Sequence, residues 1–378
     1  MLDRSEKALT TVAFYLPQFH PIPENDEWWG PGFTEWRNVT QAKPLFKGHY
    51  QPHIPRDLGF YDLRTPETRE DQVALAKAYG IDAFCYYHYW FGGRRLLERP
   101  FQEVLSDEQL DHGFMLCWAN ENWTRRWDGG ANEVLAQQAY SDEDDLAHIR
   151  WLCEAFADPR YVRVDGKPAL AVYNAGGLPD PRRTADIWRT EAERLGIGAL
   201  HLCRVESFWE ERGDPAAAGF DAAIEFWPDC HNLGTPLGRG LLRRLIRRAR
   251  RQFIPRALRQ SSMWSHSSVY SYAEIVELAL QKARPDYAWY RGVSPGWDNS
   301  ARRKAGNAVI WHDSTPRRFQ DWIEFAARDS LAAGSPLLFV NAWNEWAEGN
   351  HLEPCMRWGH AYLEAFRAGI DRARGVPR

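Results

Sequence analysis

Eight short runs of apolar, β-branched or aromatic residues recur along the chain, at 11–16, 83–87, 114–118, 169–173, 200–205, 222–226, 288–293 and 337–341. Most are separated by stretches with helical spacing, at 66–79, 100–109, 142–156, 184–195, 272–283, 316–333 and 357–372. The runs have the length of buried strands and the stretches between them the length of crossover helices. Eight strand-then-helix units predict an α/β fold, a (β/α)8 TIM barrel with long βα-loop insertions, as a single catalytic domain over 1–378. A doubly wound sheet would call for a Gly-rich phosphate turn after the first strand, and none follows 11–16. The helix expected near 206–218 is poorly marked.

In such a barrel the reacting groups gather where strands end, so the residues closing each run are the candidates. They are Tyr15 and Gln18 on the first, Tyr87 and His88 on the second, and Trp118, Asn120 and Glu121 on the third. Tyr173 closes the fourth, Glu206 the fifth, Glu225 and Trp227 the sixth, and Trp297 lies beyond the seventh. Aromatic plates among acids and amides suit a sugar, whose C–H face stacks on a ring while its hydroxyls take hydrogen bonds. The 19 tryptophans are more than a core alone accounts for. Singly, each residue has a plainer reading: Glu121 can pair with Arg125 or Arg126 as readily as it can accept a hydroxyl. The connection 17–65, with Trp28, Trp29, Trp36, His49 and His53, either walls a cleft or plugs the barrel mouth. Tyr15 and Gln18 are expected to face the cavity in both cases.

The densest cluster follows the eighth run, in PLLFVNAWNEWAEGNHLEP at 336–354. Glu345, Glu348 and Glu353 are interleaved there with Trp343, Asn344, Trp346, Asn350 and His351. Two carboxyl groups beside aromatic rings can supply the acid and the base for a glycosidic bond. A Trp-rich corner with acids at a helix start is the structural alternative.

The segment NEWAEGNHLEP resembles the motif of glycoside hydrolase family 99, the endo-acting α-mannosidases, in which two glutamates three apart sit beyond the last barrel strand. FYLPQFHPIPENDEWWGPGFTEWRNV, PLFKGHYQPHIPRDLGFYDLR and WANENWTRRWDGG resemble the glycosyltransferase WbsX, or family-99-like, proteins of bacterial surface-polysaccharide loci, and the similarity runs over nearly the whole chain. The resemblance implies a retaining route: Glu345 deprotonates the sugar 2-hydroxyl, whose oxygen attacks the anomeric carbon, and Glu348 protonates the leaving oxygen and later activates water. A raised pKa on Glu348 would fit the acid role. Ala347 stands where the mannosidases carry histidine, WAEG for WHEG, which leaves the donor sugar open. Tyr15, Trp118, Asn120 and Trp346 are the expected subsite, with Asn344 and Glu353 beside them. The implied activity is a glycosidase on an α-linked, mannose-containing surface polysaccharide or lipid-linked glycan. A glycosyltransferase or transglycosylase of O-antigen or capsule synthesis and a noncatalytic glycan-binding protein are the alternatives.

A net charge of −4 and a pI near 6.3 argue against a nucleic-acid partner. The first residues lack a signal-type apolar run and no stretch of eighteen uncharged apolar residues occurs, so a cytoplasmic protein without a membrane span is expected. One segment departs from the overall balance. An Arg-rich insertion around 236–262 holds nine arginines and no acid between 238 and 260, with leucines at helical spacing, and predicts an amphipathic basic helix. From Arg239 to Arg259 it is expected to make peripheral contact with an anionic membrane or a lipid-linked glycan, against the alternative of a solvated helix on the barrel. Six cysteines without a CxxC pair read as buried free thiols. His49 and His53 are broken from one helical face by Pro52 and Pro55, and no HExxH or GxSxG occurs, so neither metal nor cofactor is expected.

Overall fold

The computed structural model describes residues 9–125, 130–208, 211–237, 267–303 and 306–376. The Arg-rich insertion lies outside them from residue 238 onward, as does Arg126. Nine strand segments form the main sheet: β1 (Thr10–Tyr15), β2 (Ala83–Phe91), β3 (Gly113–Trp118), β4 (Lys167–Val172), β5 (His201–Val205), β6 (Ala222–Ile224), β7 (Trp289–Tyr290), β8 (Gly292–Val293) and β9 (Leu337–Val340). Successive strands pair in parallel from β1 to β7, β8 pairs with β9, and β9 returns to β1. Since only Arg291 separates β7 from β8, these two are one stave that faces β6 with its first half and β9 with its second. The sheet thereby closes into the eight-stave barrel that the sequence predicts. Gly292 makes the closure sterically feasible, because a Cβ there would fall 1.9 Å from the Glu225 carbonyl oxygen.

Helices fill the intervals: α1 (Pro23–Trp29) and α2 (Glu35–Gln41) within the first connection, then α3 (Pro66–Ala78), α4 (Arg99–Ser106), α5 (Asp142–Phe156), α6 (Pro181–Arg194), α7 (Tyr272–Gln281), α8 (Pro316–Ala332) and α9 (Ala361–Ala373). Their starts follow local chemistry. Ser141 caps α5 by accepting the Asp144 N–H, four acids occupy its first turn, and a proline opens α3, α6 and α8. Between β5 and β6, where the helical pattern is weak, the described residues hold a 3-10 turn at Pro215–Ala218, bracketed by Gly213 and Gly219.

Alternation along the strands decides which side chains enter the barrel. Phe14 packs on Tyr87 at 5.6 Å, Phe226 at 5.3 Å and Phe339 at 5.6 Å between ring centroids, and Tyr173 closes on Phe226 at 5.4 Å. These rings fill the barrel and make the floor of whatever lies above. The opposite parity meets the helix layer, where Trp118, Trp188, Trp227, Trp322 and Trp343 are fully buried. Much of the tryptophan content is therefore core. Cys85, Cys117, Cys153, Cys203 and Cys355 are buried free thiols, and Cys230 is exposed.

Candidate active site

Beyond β9 the chain makes a small hairpin. Asn344–Glu345 pairs antiparallel with Asn350–His351, and a single 3-10 turn, Trp346–Glu348, joins them. Residues three apart eclipse on a 3-10 turn, which sets Glu345 and Glu348 on the same side. The turn ends at Gly349 with φ +57°, and a Cβ there would meet the Asp298 Cβ at 2.9 Å. Asn344 fixes the start of the hairpin: its Oδ1 accepts the Leu16 N–H at 2.7 Å and its Nδ2 donates to the Leu16 carbonyl at 3.0 Å.

Both glutamates open onto a cavity of about 400 Å³ at the C-terminal ends of the strands. Tyr87, Tyr89, Trp123, Tyr173, Phe226 and Trp297 give it aromatic walls, and Gln18, Glu121 and Asn299 add polar groups. The two carboxylates share one cation. Arg302 Nη2 lies 3.0 Å from Glu345 Oε2 and Nη1 lies 2.7 Å from Glu348 Oε1, while Glu35 Oε2 takes Nη2 at 2.9 Å and Nε at 3.0 Å. Arg302 is carried by the turn Asn299–Arg302, which Asp298 anchors by donating its N–H to the Glu348 carbonyl at 2.6 Å. The Asp298 carboxylate accepts from His49 at 2.5 Å, Gln51 at 2.8 Å and the Ser300 N–H at 3.0 Å.

Three acids around one guanidinium leave negative charge uncompensated in a place with little water. Burial pushes the Glu345 carboxyl up to about 8 against the pull of Arg302, with Glu348 and Glu35 adding to the rise. Burial also raises Glu35. Burial acts against Arg302 too, but the three carboxylates hold it well above its ordinary value, so it stays a fixed positive charge. Burial alone would raise Asp298, yet the donors from His49, Ser300 and Gln51 bring it below its ordinary value.

Of the residues expected at the site, Gln18, Tyr87, Glu121, Tyr173 and Trp297 line the cavity with Glu345 and Glu348. Ten others do not. Tyr15 has the outward parity of β1 and donates its hydroxyl to Gln72 of α3 at 2.8 Å. His88 likewise turns to the helices, stacked on Trp151 at 4.6 Å and His148 at 5.1 Å, and burial lowers it to about 3. Trp118 packs on Trp188 and His148. Asn120 is spent on the backbone of Asn174, at 2.7 and 2.8 Å. Glu206 accepts from Tyr287 at 2.9 Å and Trp289 at 3.0 Å, and Glu225 pairs with Lys282 at 3.0 Å. Trp227 is buried against Trp322. Behind the hairpin, Trp346 stacks on His351 at 3.7 Å and donates to Glu353 at 2.6 Å, and Glu353 also accepts from Gln72 and Tyr61. Asn344, as described, holds backbone. Ala347 is fully buried outside the cavity wall.

Four participants escaped the sequence reading. Tyr89 and Trp123 line the cavity, and period-two alternation from Tyr87 would have found Tyr89. Glu35 and Arg302 carried no local signal, since what joins them is a contact across 267 positions. The first connection both walls and plugs: Gln18 and Trp29 face the cavity, whereas Trp36 packs on Trp346 and Tyr61. His49 is bound to Asp298 and His53 to His351 at 2.9 Å, and among the described residues no group of three His, Cys, Asp or Glu could hold a metal ion.

The family described as "Glycosyltransferase WbsX" matches this chain over residues 11–366. The protein WxcX of two strains of Xanthomonas campestris pathovar campestris, B100 and ATCC 33913, is 46% identical over 370 residues, covering 97% of this chain and 50% of WxcX. The chain therefore spans about half the length of the curated relatives it matches. Among solved structures, the GH99 endo-α-mannosidase of Bacteroides thetaiotaomicron superposes with a TM-score of 0.56 at 14% identity, over 98% of this chain and at least 99% of that one. A glycoside hydrolase-like protein superposes with the same score at 13% identity, over 98% of this chain and 96% of its own. These two likenesses show a shared fold.

Proposed function

The chain belongs to the family described as glycosyltransferase WbsX, and from that premise we propose that it is a glycan-active enzyme, a retaining glycosidase that uses Glu345 and Glu348 on an α-linked, mannose-containing bacterial surface polysaccharide or lipid-linked glycan. The observation that carries this reading is that both carboxylates open onto one aromatic cavity while a single guanidinium holds one oxygen of each. A pyranose ring stacked on those walls would meet two acid groups at once, and neither could swing away.

In this reading Glu345 removes the proton of the sugar 2-hydroxyl as that oxygen bonds to the anomeric carbon. The bond from the anomeric carbon to the leaving oxygen breaks, and Glu348 supplies the leaving oxygen with its proton. Water, deprotonated by Glu348, then opens the strained ring, and Glu345 returns its proton to the 2-oxygen. The net result is hydrolysis with retention. A carboxyl raised to about 8 suits the first step, since it binds a hydroxyl proton more firmly than one at the ordinary 4.5. Arg302 keeps the pair oriented throughout and carries no proton between them.

The test is saccharide release from a panel of α-linked glycans by the wild type and by Glu348→Gln. The reading requires release by the wild type and its loss, by about two orders of magnitude or more, in the variant. Release that survives in Glu348→Gln removes the assignment. Consumption of a nucleotide sugar without hydrolysis favours a transferase, and binding without turnover a noncatalytic glycan receptor. No described helix is long and apolar enough to cross a membrane, and the proposed contact with an anionic membrane or lipid-linked glycan runs through the arginines from Arg239 to Arg259.

A further inference from the structure

Glu35 is fully buried, lies outside the cavity wall, and still puts a carboxylate on the same guanidinium that holds the reacting pair. We propose that Glu35 is a positioning residue of the site: by taking a share of Arg302, it sets how much of that cation is left to Glu345. The inference rests on the functional reading above, in which those two are the reacting acids.

The geometry gives Glu35 a role that a structural acid would not need. One of its oxygens takes two donors of Arg302, Nε at 3.0 Å and Nη2 at 2.9 Å, and the other accepts Asn38 Nδ2 at 3.3 Å. Its backbone N–H donates to the carbonyl of Gln18, a cavity residue, at 3.2 Å. Arg302 Nη2 is divided between Glu35 and Glu345, so the charge available to Glu345 is what Glu35 leaves. With Glu35 ionised, the cluster holds three acids to one cation, which favours a proton on Glu345. With Glu35 neutral, two acids face one cation and Glu345 gives its proton up at lower pH. The groups that face Glu345 from the surrounding elements are Arg302, Glu348 on its own hairpin, Glu35 on α2, Tyr87 and Tyr89 on β2, and Tyr173 beyond β4. The tyrosines are raised well above their ordinary value, foremost by burial, and stay neutral through the working range. Of the charged groups, Glu35, Glu348 and Arg302 act on Glu345 directly, and Glu121 and Arg303 line the same cavity.

The experiment compares wild type, Glu35→Gln and Glu35→Asp in two ways. Carboxyl 13C shifts of protein labelled at Glu Cδ, with the Glu345 signal assigned by its absence in Glu345→Gln, report the proton without any substrate. The Glu345 titration is expected to move to lower pH by half a unit or more in Glu35→Gln, and in the same direction by less in Glu35→Asp, which keeps the charge but withdraws it by one methylene. The pH profile of kcat/KM on a hydrolysed glycan should follow, so that the ratio of activity at pH 6 to that at pH 8 rises about threefold. A Glu345 titration unmoved in the folded variants overturns the proposal, as does a uniform loss of activity at every pH. If Glu35→Gln does not fold, an unmoved titration in Glu35→Asp is decisive by itself. If no glycan is hydrolysed, the functional reading fails while the 13C titration still decides this one.

Discussion

The backbone N–H of Asp298 donates to the carbonyl of Glu348 at 2.6 Å, joining the turn that carries Arg302 to the turn that carries the second glutamate. Position along the chain could not foretell this, yet it makes the two loops one unit. The Asp298 side chain then pins that unit to the first connection through His49 and Gln51. Replacing Asp298 by alanine leaves both partners buried without an acceptor. Such a loss costs about 2–4 kcal/mol. We expect Asp298→Ala to lower the urea midpoint accordingly and to reduce saccharide release through displacement of Arg302. A variant of wild-type stability and activity would show that the two turns hold together without it.

Arg302 offers a sharper case because its removal leaves three acids facing one another. Arg302→Gln should lose about 3–5 kcal/mol, the usual result of stripping the partner from buried charge. The direction with pH follows from the sign of the repulsion. Without the cation Glu345 and Glu35 hold their protons to higher pH in the folded variant, so its deficit against the wild type grows as pH rises, and it is nearer to wild-type stability at pH 5 than at pH 8. Urea midpoints at the two pH values measure this. An equal deficit at both would mean that the guanidinium acts through packing alone.

For the wild type, burial foremost raises Glu345 to about 8, Glu353 and Glu211 to about 7 and Asp145 to about 6, and it raises Glu35 and Asp144 as well. A carboxyl with a folded-state pKa above its unfolded value holds its proton better when folded. Its contribution is complete below the unfolded pKa and disappears as pH rises through the folded one. Buried His20, His53 and His112, lowered to about 4, and His88, lowered to about 3, act in the opposite sense between those values and 6.5. Above about pH 7.5 these histidines are almost wholly neutral in both states, while folded Glu345 still holds its proton. Stability should therefore fall from about pH 7.5 to 8.5, at up to about 1.4 kcal/mol per pH unit for each proton released. Thermal midpoints across that window test it, and Glu345→Gln should flatten the decline. A rising curve would contradict the account.

The Arg-rich segment is a separate question. The proposed contact of Arg239 to Arg259 with an anionic surface predicts that the full chain co-sediments with vesicles containing phosphatidylglycerol, and that binding weakens steeply with salt. Deleting 239–259 should abolish that binding and leave hydrolysis of a short soluble glycan unchanged. Equal co-sedimentation with and without the segment would end the membrane proposal.

The barrel could be read from the chain because each buried strand is a continuous run with its own turn signals, and a strand needs no distant information to look like one. The acids Glu345 and Glu348 stand out for a similar reason: they lie in one contiguous run of acids, amides and aromatics past the last strand, although the hairpin that sets them on one side carries no signal of its own. What could not be read was the partner set. Arg302 and Glu35 are ordinary residues in ordinary surroundings until folding brings them together. The misplaced subsite residues have another origin. Tyr15, His88 and Trp118 were chosen for lying at strand ends, but only every second residue of a strand enters the barrel, and all three have the outward parity.

That parity argument makes a paired prediction on adjacent residues of β2. Tyr89 lines the cavity, and His88 is buried among Trp151, His148 and Trp90. Tyr89→Ala removes a stacking wall from a sugar, so KM should rise about fivefold with a smaller change in stability, in line with about 1 kcal/mol for an aromatic contact. His88→Ala empties a space between packed rings and should cost about 2–4 kcal/mol of stability, while the folded fraction keeps its KM. The two effects must separate, because side chains one position apart on a strand stand on opposite faces of the sheet. If His88→Ala raised KM and Tyr89→Ala did not, the register of β2, and with it the assignment of every inward residue on that strand, would have to be reversed.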